Sequence, residues 1–243
     1  MFSFFSRSKN NKIIPMVNVS EKDLPMSPMT MDDMDREIKK RINNIQKEFL
    51  DGFNLIKRYP KSVTFFGSAR LDESNHYYKK SMNLAGLLAK EGYAVISGGG
   101  PGIMEAANRG AYEAGGPSLG LNIKLPFEQI LNPYVTDFVN FHYFFARKVC
   151  MTFSSEAYVY FPGGFGTLDE FFEVLTLIQT KKIKRRPIIL VGVEFWKPFL
   201  IWIDNSLRTE FKTVDRFDTS LYELLDDEQT IVDLINQVPL QVD

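Results

Sequence analysis

The sequence has little cysteine, histidine or tryptophan and almost no net charge. Cys150 is the only cysteine among 243 residues, so no internal disulfide and no cysteine-based metal cage can form, which fits a reducing compartment such as the cytoplasm. His76 and His142 are the only histidines and lack metal-ligand spacing, so no metal is expected. Lysine and arginine total 29 against 30 acidic residues, for a net charge of −1. That balance gives no global pull toward nucleic acid or an anionic membrane, and neither is expected as a partner. No uncharged apolar run approaches the ~20 residues that span a bilayer. The opening Met1-Phe-Ser-Phe-Phe-Ser-Arg-Ser-Lys-Asn-Asn-Lys12 lacks the charged start, apolar stretch and cleavage site of an export signal. A soluble protein whose phosphate or charge chemistry is local is the expectation.

Hydrophobic residues at 44% and aromatic residues at 14% suffice for one sizeable core. Residues 1–30 carry Pro15, Pro25 and Pro28 with no sustained period and read as a loosely ordered arm able to pack on a partner subunit. The organisation expected is a flexible arm over 1–32 and a single domain over 33–243. From Asp33 a helical stripe begins, with Ile38, Ile42, Ile45, Phe49, Phe53 and Ile56 on one face and Lys39, Lys40, Lys47 and Glu48 around it, ending at Tyr59-Pro60. Beyond it, short apolar β-rich runs alternate with helical patterns, the mark of βαβ units and an open parallel sheet. Strands are expected at Ser62–Phe66, Tyr93–Ser97, Ser118–Ile123, Val135–Phe138, Ala157–Phe161 and Pro187–Val193. Helices are expected at Tyr77–Glu91, Ile103–Ala114, Phe144–Ser154, Thr167–Thr180, Trp196–Ser206 and Glu228–Gln237.

Three of these strands run into turns of small residues: Phe66-Gly-Ser-Ala-Arg70, Ser97-Gly-Gly-Gly-Pro-Gly102 and Pro162-Gly-Gly-Phe-Gly-Thr167. Ligands of an open parallel sheet bind outside the carboxyl ends of its strands, so the turns converge on one edge. Glycine lets the backbone approach an anion, and the free N–H groups and positive dipole end of the following helix make a phosphate seat. Thr167 adds a hydroxyl. Both longer turns lack the Gly-Lys-Ser/Thr of a P-loop. Ile103 and Asp169 stand where the dinucleotide fingerprint needs its third glycine, which weighs against NAD, FAD and ATP hydrolysis.

Glu170 lies one helical turn past Thr167, close to the seat. Thr167-Leu-Asp-Glu170 is equally a capping box, with Thr167 as N-cap and Glu170 bonding backward, so capping and catalysis both stand at this point. Asp169 and Glu173 read as solvated or first-turn dipole charges. Upstream, Arg147 and Lys148 sit side by side among Phe144, Phe145, Val149, Met151 and Phe153. Adjacent helical residues point about 100° apart, so one of the two can face the cleft. Arg147, whose planar fork suits a phosphate or a carboxylate such as Glu170, is the choice, against the alternative of a snorkelling surface pair.

Gly98-Gly-Gly-Pro-Gly-Ile-Met-Glu-Ala-Ala107, Arg147-Lys148 and Pro162-Gly-Gly-Phe-Gly-Thr-Leu-Asp-Glu170 resemble the LOG (LONELY GUY) family of cytokinin riboside 5′-monophosphate phosphoribohydrolases, over about Ser62 to Ile203. The resemblance implies an α/β, Rossmann-like, doubly wound parallel sheet with helices on both faces, here preceded by an arm and helix. It implies a homodimer or a larger assembly of dimers. The implied reaction hydrolyses a purine nucleoside 5′-monophosphate to free base and ribose 5-phosphate, with no cofactor. Arg147 and Glu170 match the family's catalytic pair. Gly99, Gly100, Gly163, Gly164, Gly166 and Thr167 match its phosphate-binding turns, with Ser68, Gly102 and Lys148 beside them, and Glu105 matches a position near the ligand. The long N-terminal segment and Leu121-Asn-Ile-Lys-Leu-Pro-Phe-Glu128 look like the longer subgroup.

Cleaving an N-glycosidic bond builds positive charge on the sugar, which a carboxylate stabilises. Glu170 is expected to do this and to orient or deprotonate water, with Arg147 holding phosphate or Glu170. The alternative is a non-catalytic nucleotide or cofactor carrier on the same fold, since fold does not fix activity. A decarboxylase would need pyridoxal phosphate on a lysine, and Lys148 is the one candidate. Lys181-Lys-Ile-Lys-Arg-Arg186 reads as solvated charge at a helix end, and Cys150 as core.

Overall fold

A computed structural model describes residues 30–125, 131–153 and 155–239. The expected arm, apart from its last residues, and part of the Leu121–Glu128 segment lie outside the described residues. Two compact units are distinguished, Met1–Ile42 and Asn43–Asp243. The boundary between them falls within the first helix, α1, Met31–Ile56. In the first unit Thr30 and Asp33 cap the start of α1 reciprocally: the Asp33 N–H donates to Thr30 Oγ1 and the Thr30 N–H to Asp33 Oδ2, both at 3.1 Å. Met31, Met34, Ile38 and Ile42 of this half are exposed.

The second unit alternates strand and helix: β1 Ser62–Phe66, α2 His76–Lys90, β2 Ala94–Ser97, α3 Ile103–Glu113, β3 Ser118–Ile123, β4 Asp137–Phe141, α4 Phe144–Phe153, β5 Ala157–Tyr160, α5 Phe165–Gln179, β6 Ile188–Leu190, α6 Val193–Trp202, β7 Glu223–Leu224 and α7 Glu228–Asn236. The seven strands form one sheet of order β4-β3-β2-β1-β5-β6-β7, and every pairing is parallel. The order reverses between β1 and β5, the switch point at which a doubly wound sheet opens a crevice. Central strands are buried on both faces, so they read in sequence as near-continuous apolar runs rather than alternations. Val63, Phe65, Val95 and Val159 pack with α2, α3 and α7 on one face; Phe66, Ile96, Tyr158 and Tyr160 pack with α4, α5 and the end of α1 on the other.

The expected elements are present, with shifted ends where local bonds intervene. Strand β4 begins two residues later than expected, because Thr136 is held by Ser118 through both its backbone N–H and its hydroxyl. Helix α5 begins two residues earlier, at Phe165. The helix expected over Trp196–Ser206 starts at Val193 and passes at Ile203 into a π-helical segment, Ile203–Glu210. Strand β7, two residues long, carries too little pattern to be read from sequence. The Ser154 end expected for α4 lies outside the described residues. None of the described helices is long and apolar enough to cross a membrane.

Candidate functional site

The three glycine turns follow β1, β2 and β5, which are neighbours in the sheet. Ser68 joins them: its N–H donates to Pro162 O in the third turn, and its carbonyl accepts the Ile103 N–H at the end of the second, each at 3.0 Å. Its hydroxyl oxygen accepts the Arg70 N–H at 3.1 Å, so the side chain serves the first turn itself. The approach is close enough that a Cβ on Gly67 would come within 2.6 Å of Ile103 Cγ2, and one on Gly102, whose φ is +71°, would strike Ser68 O.

Helix ends at this edge divide into two kinds. Asn75 caps α2 by accepting the Tyr77 N–H. The Glu48 carboxylate, from α1, accepts the His142 and Tyr143 N–H groups at the start of α4, at 2.7 and 3.1 Å. The Asp226 carboxylate takes the Gly192 and Val193 N–H groups at the start of α6, at 2.6 and 3.2 Å. By contrast α3 and α5, the two helices that follow the longer glycine turns, have the glycine N-caps Gly102 and Gly164 and no side-chain cap. Apart from the Ile103 N–H, which Ser68 O accepts, their leading N–H groups and positive dipole ends are therefore available to an anion.

The start of α5 settles one alternative from the sequence. Its N-cap is Gly164, so Thr167 stands at the third helical position and the Thr167–Glu170 capping box does not form. Thr167 is buried, and its hydroxyl turns into the space that Gly163 leaves: a Cβ on Gly163 would overlap the Thr167 side chain. Gly164 and Gly166 have open space where a Cβ would lie. Phe165 between them is 92% exposed.

Glu170, freed from capping, meets Arg147. Arg147 Nη1 lies 3.3 Å from Glu170 Oε1, with side-chain exposures of 9% and 15%. The Arg147 Nε–H donates to Leu121 O at the end of β3, at 2.8 Å, which fixes the guanidinium between β3 and α5. Its Nη2 lies over Gly98, where an added Cβ would come within 2.5 Å. The arginine thus touches the second glycine turn while it binds the acid that follows the third. Burial pushes the Glu170 carboxyl up to about 7, although Arg147 pulls in the opposite direction. A carboxyl near neutrality can exchange a proton at working pH.

Lys148 is held by two other acids. Its Nζ lies 3.0 Å from both Asp169 Oδ2 and Glu173 Oε2. Asp169 and Glu173 were expected as solvated or dipole charges, and here they hold Lys148. Burial alone would lower the Lys148 pKa, but hydrogen bonds and charge from Glu173 and Asp169 outweigh it and raise the value. Glu105, in the first turn of α3, accepts the Tyr78 hydroxyl at 3.0 Å. Among the described residues no group of three or more His, Cys, Asp or Glu side chains is placed to hold a metal ion. Cys150 is fully buried, and burial pushes its thiol up to about 12, which makes it inert as a nucleophile.

Sequence reasoning missed several residues that shape this edge. Gly98 makes room for Arg147, and Glu48 and Asp226 cap α4 and α6. Beneath the β2–α3 turn lie Ser97, Asn108, Ser118 and Asn132, all buried. Only Asn132 gave a signal: followed by Pro133, it is a turn former, and its Oδ1 accepts the Tyr134 N–H at 3.2 Å.

A family model described as "Possible lysine decarboxylase" matches residues 104–235, more than half of the chain. The cytokinin riboside 5′-monophosphate phosphoribohydrolase of Rhodococcoides fascians is 28% identical over 158 residues, 63% of this chain and 79% of that protein. The enzyme of the same name, LOG, from Oryza sativa subsp. japonica is 29% identical over 164 residues, 65% of this chain and 66% of its own length. Among solved structures, the X-ray structure of the protein TM1055 superposes with a TM-score of 0.55 at 26% identity, covering 73% of this chain and 99% of that one. The molybdenum cofactor carrier protein of Chlamydomonas reinhardtii superposes with a TM-score of 0.55 at 20% identity, covering 73% and 97%, a likeness of fold.

Proposed function

The chain belongs to the family described as possible lysine decarboxylases, the LOG family that its motifs resemble, and on that premise we propose that it hydrolyses the N-glycosidic bond of purine nucleoside 5′-monophosphates. The base is adenine or an N6-modified adenine, and the products are free base and ribose 5-phosphate. The observation that carries the reading is the buried Arg147–Glu170 pair, set between two glycine turns whose helices have no side-chain cap. The 5′-phosphate sits on the N–H groups of those turns, with Gly99, Gly100, Gly102, Gly163, Gly164 and Gly166 allowing its approach and Thr167 donating a hydroxyl. Held there, the phosphate positions the sugar without touching the bond that breaks.

As the C1′–N bond breaks, its electron pair leaves with the base and positive charge grows on the ribose. The ionised Glu170 stabilises that charge and takes a proton from the water that attacks C1′. Arg147 keeps the carboxylate oriented and favours its ionised form. The base departs with a proton from solvent or from Glu170 in its neutral form.

A carrier on the same fold is the second reading, and the molybdenum cofactor carrier likeness is the observation that favours it. A carrier has no use for a buried carboxyl near neutrality paired with arginine, which supports hydrolysis. Pyridoxal-dependent decarboxylation is disfavoured, because a Schiff-base lysine must be neutral and Lys148 is held charged by two carboxylates. Exposed Phe144, Phe145, Val149 and Phe153 on α4 support a homo-oligomer, a dimer or an assembly of dimers. A cytoplasmic location fits the single buried cysteine. Incubation with a panel of nucleoside monophosphates, nucleosides and triphosphates tests the reading. Free base and ribose 5-phosphate from monophosphates are expected, with far slower release of base from nucleosides, and tight binding without turnover would establish the carrier.

A further inference from the structure

The β2–α3 glycine turn rests on a buried polar network that the catalytic reading leaves unused. Asn132, from the β3–β4 connection, donates its backbone N–H to Gly99 O at 2.8 Å. Its side-chain Nδ2 donates to Gly100 O at 3.1 Å and to Asn108 Oδ1 at 2.9 Å. Asn108 also accepts the Ser97 hydroxyl at 2.6 Å and donates to Ser118 Oγ at 2.9 Å, while Ser97 Oγ accepts the Gly99 N–H at 2.9 Å. Leu131, next to Asn132, fills the space beside Gly99, where a Cβ would come within 2.7 Å of its Cδ1.

These bonds decide which groups of the turn face the cleft. In a trans peptide the carbonyl and the following N–H point in opposite directions. Drawing Gly99 O onto Asn132 therefore turns the Gly100 N–H away from Asn132, a geometry that Gly99 reaches with φ +71°. Pro101 has no N–H, so the Gly100–Pro101 peptide presents only a carbonyl. Facing an anion, that carbonyl would repel it, and the Asn132 side chain holds it inward.

We propose that Asn132 is a positioning residue for the phosphate seat: it pins the Gly99 and Gly100 carbonyls inward so that the turn meets a 5′-phosphate with its N–H edge. The proposal rests on the reading of this turn as part of the phosphate site.

Steady-state kinetics with adenosine 5′-monophosphate and with adenosine test it on the full chain. Asn132→Ala should raise KM for the monophosphate about tenfold, the effect of losing its one side-chain hydrogen bond to the turn, and leave kcat within about twofold. Its kcat/KM for the nucleoside should be unchanged. Asn132→Asp, which sets a carboxylate against Gly100 O and Asn108 Oδ1, should lose more. Equal losses on nucleoside and monophosphate, or an unchanged KM, would overturn the proposal. A readout free of variant folding is the Gly100 amide resonance of the wild-type protein during titration with inorganic phosphate. It should shift as phosphate saturates, and a resonance that stays in place overturns the proposal. A shift without any hydrolysis leaves the role of Asn132 standing and removes the hydrolase reading. Hydrolysis with an unmoved Gly100 resonance does the reverse.

Discussion

Replacing Glu170 by glutamine isolates the energetic consequence of burying the catalytic carboxyl. Burial pushes the group up to about 7 in the folded chain against an ordinary value of 4.5, with Arg147 opposing the shift. The folded state thus holds this proton more tightly than the unfolded state does. Its contribution to stability is fully present below the unfolded value and is lost as pH rises through the folded value. The gap, at about 1.4 kcal/mol per unit, comes to about 3 kcal/mol lost between acid and mildly alkaline pH. Glutamine does not titrate, so the variant lacks this slope. Urea denaturation of both proteins at pH 5 and pH 8 measures it: the stability of Glu170→Gln relative to wild type should improve by about 2 kcal/mol or more from the lower pH to the higher. The comparison between pH values cancels any constant cost of a buried amide beside Arg147. Parallel pH profiles for the two proteins would refute the reasoning, since Glu170 would then titrate alike in the folded and unfolded chains.

Three further outcomes follow from the same geometry. If the ionised carboxylate is the working form, kcat/KM should rise with pH through about 7 and level off above it; a profile flat from pH 5 to 9 would count against Glu170. Gly98→Ala places a methyl within 2.5 Å of Arg147 Nη2, so kcat should fall about tenfold or more with a smaller change in KM, and the reverse split would show that Gly98 serves phosphate instead. Thr167→Ala should raise KM for a monophosphate about tenfold and spare the corresponding nucleoside; equal effects on both would remove Thr167 from the phosphate site.

The parallel sheet was legible because strands buried on both faces leave near-continuous apolar runs such as Ala157–Tyr160, separated by helical periods. The three glycine turns were legible as turns and as occupants of one edge. That they follow adjacent strands was not, because sheet order depends on pairings between distant segments. Local spacing could not choose between capping and catalysis for Glu170. The choice came from Gly164 taking the N-cap position, which moved Thr167 inside α5 and released the acid to Arg147. The pairing of Lys148 with Asp169 and Glu173 was not legible for a related reason: the two acids lie on α5 and Lys148 on α4, and the packing of those helices has no local signature. Glu48 and Asp226 cap helices 94 and 34 positions away, so they read only as surface charge. Asn132 showed only the turn signal of Asn-Pro.

The central claim is that the Arg147–Glu170 pair cuts the bond between base and ribose while the phosphate stays on the sugar. Adenosine 5′-monophosphate incubated with the wild-type protein and with Glu170→Gln, with adenine, ribose 5-phosphate and inorganic phosphate all quantified, tests it most directly. Adenine and ribose 5-phosphate should appear in equal amounts with the wild type and fall by about a hundredfold or more in the variant. Release of inorganic phosphate and adenosine, or a variant as active as the wild type, would contradict the claim.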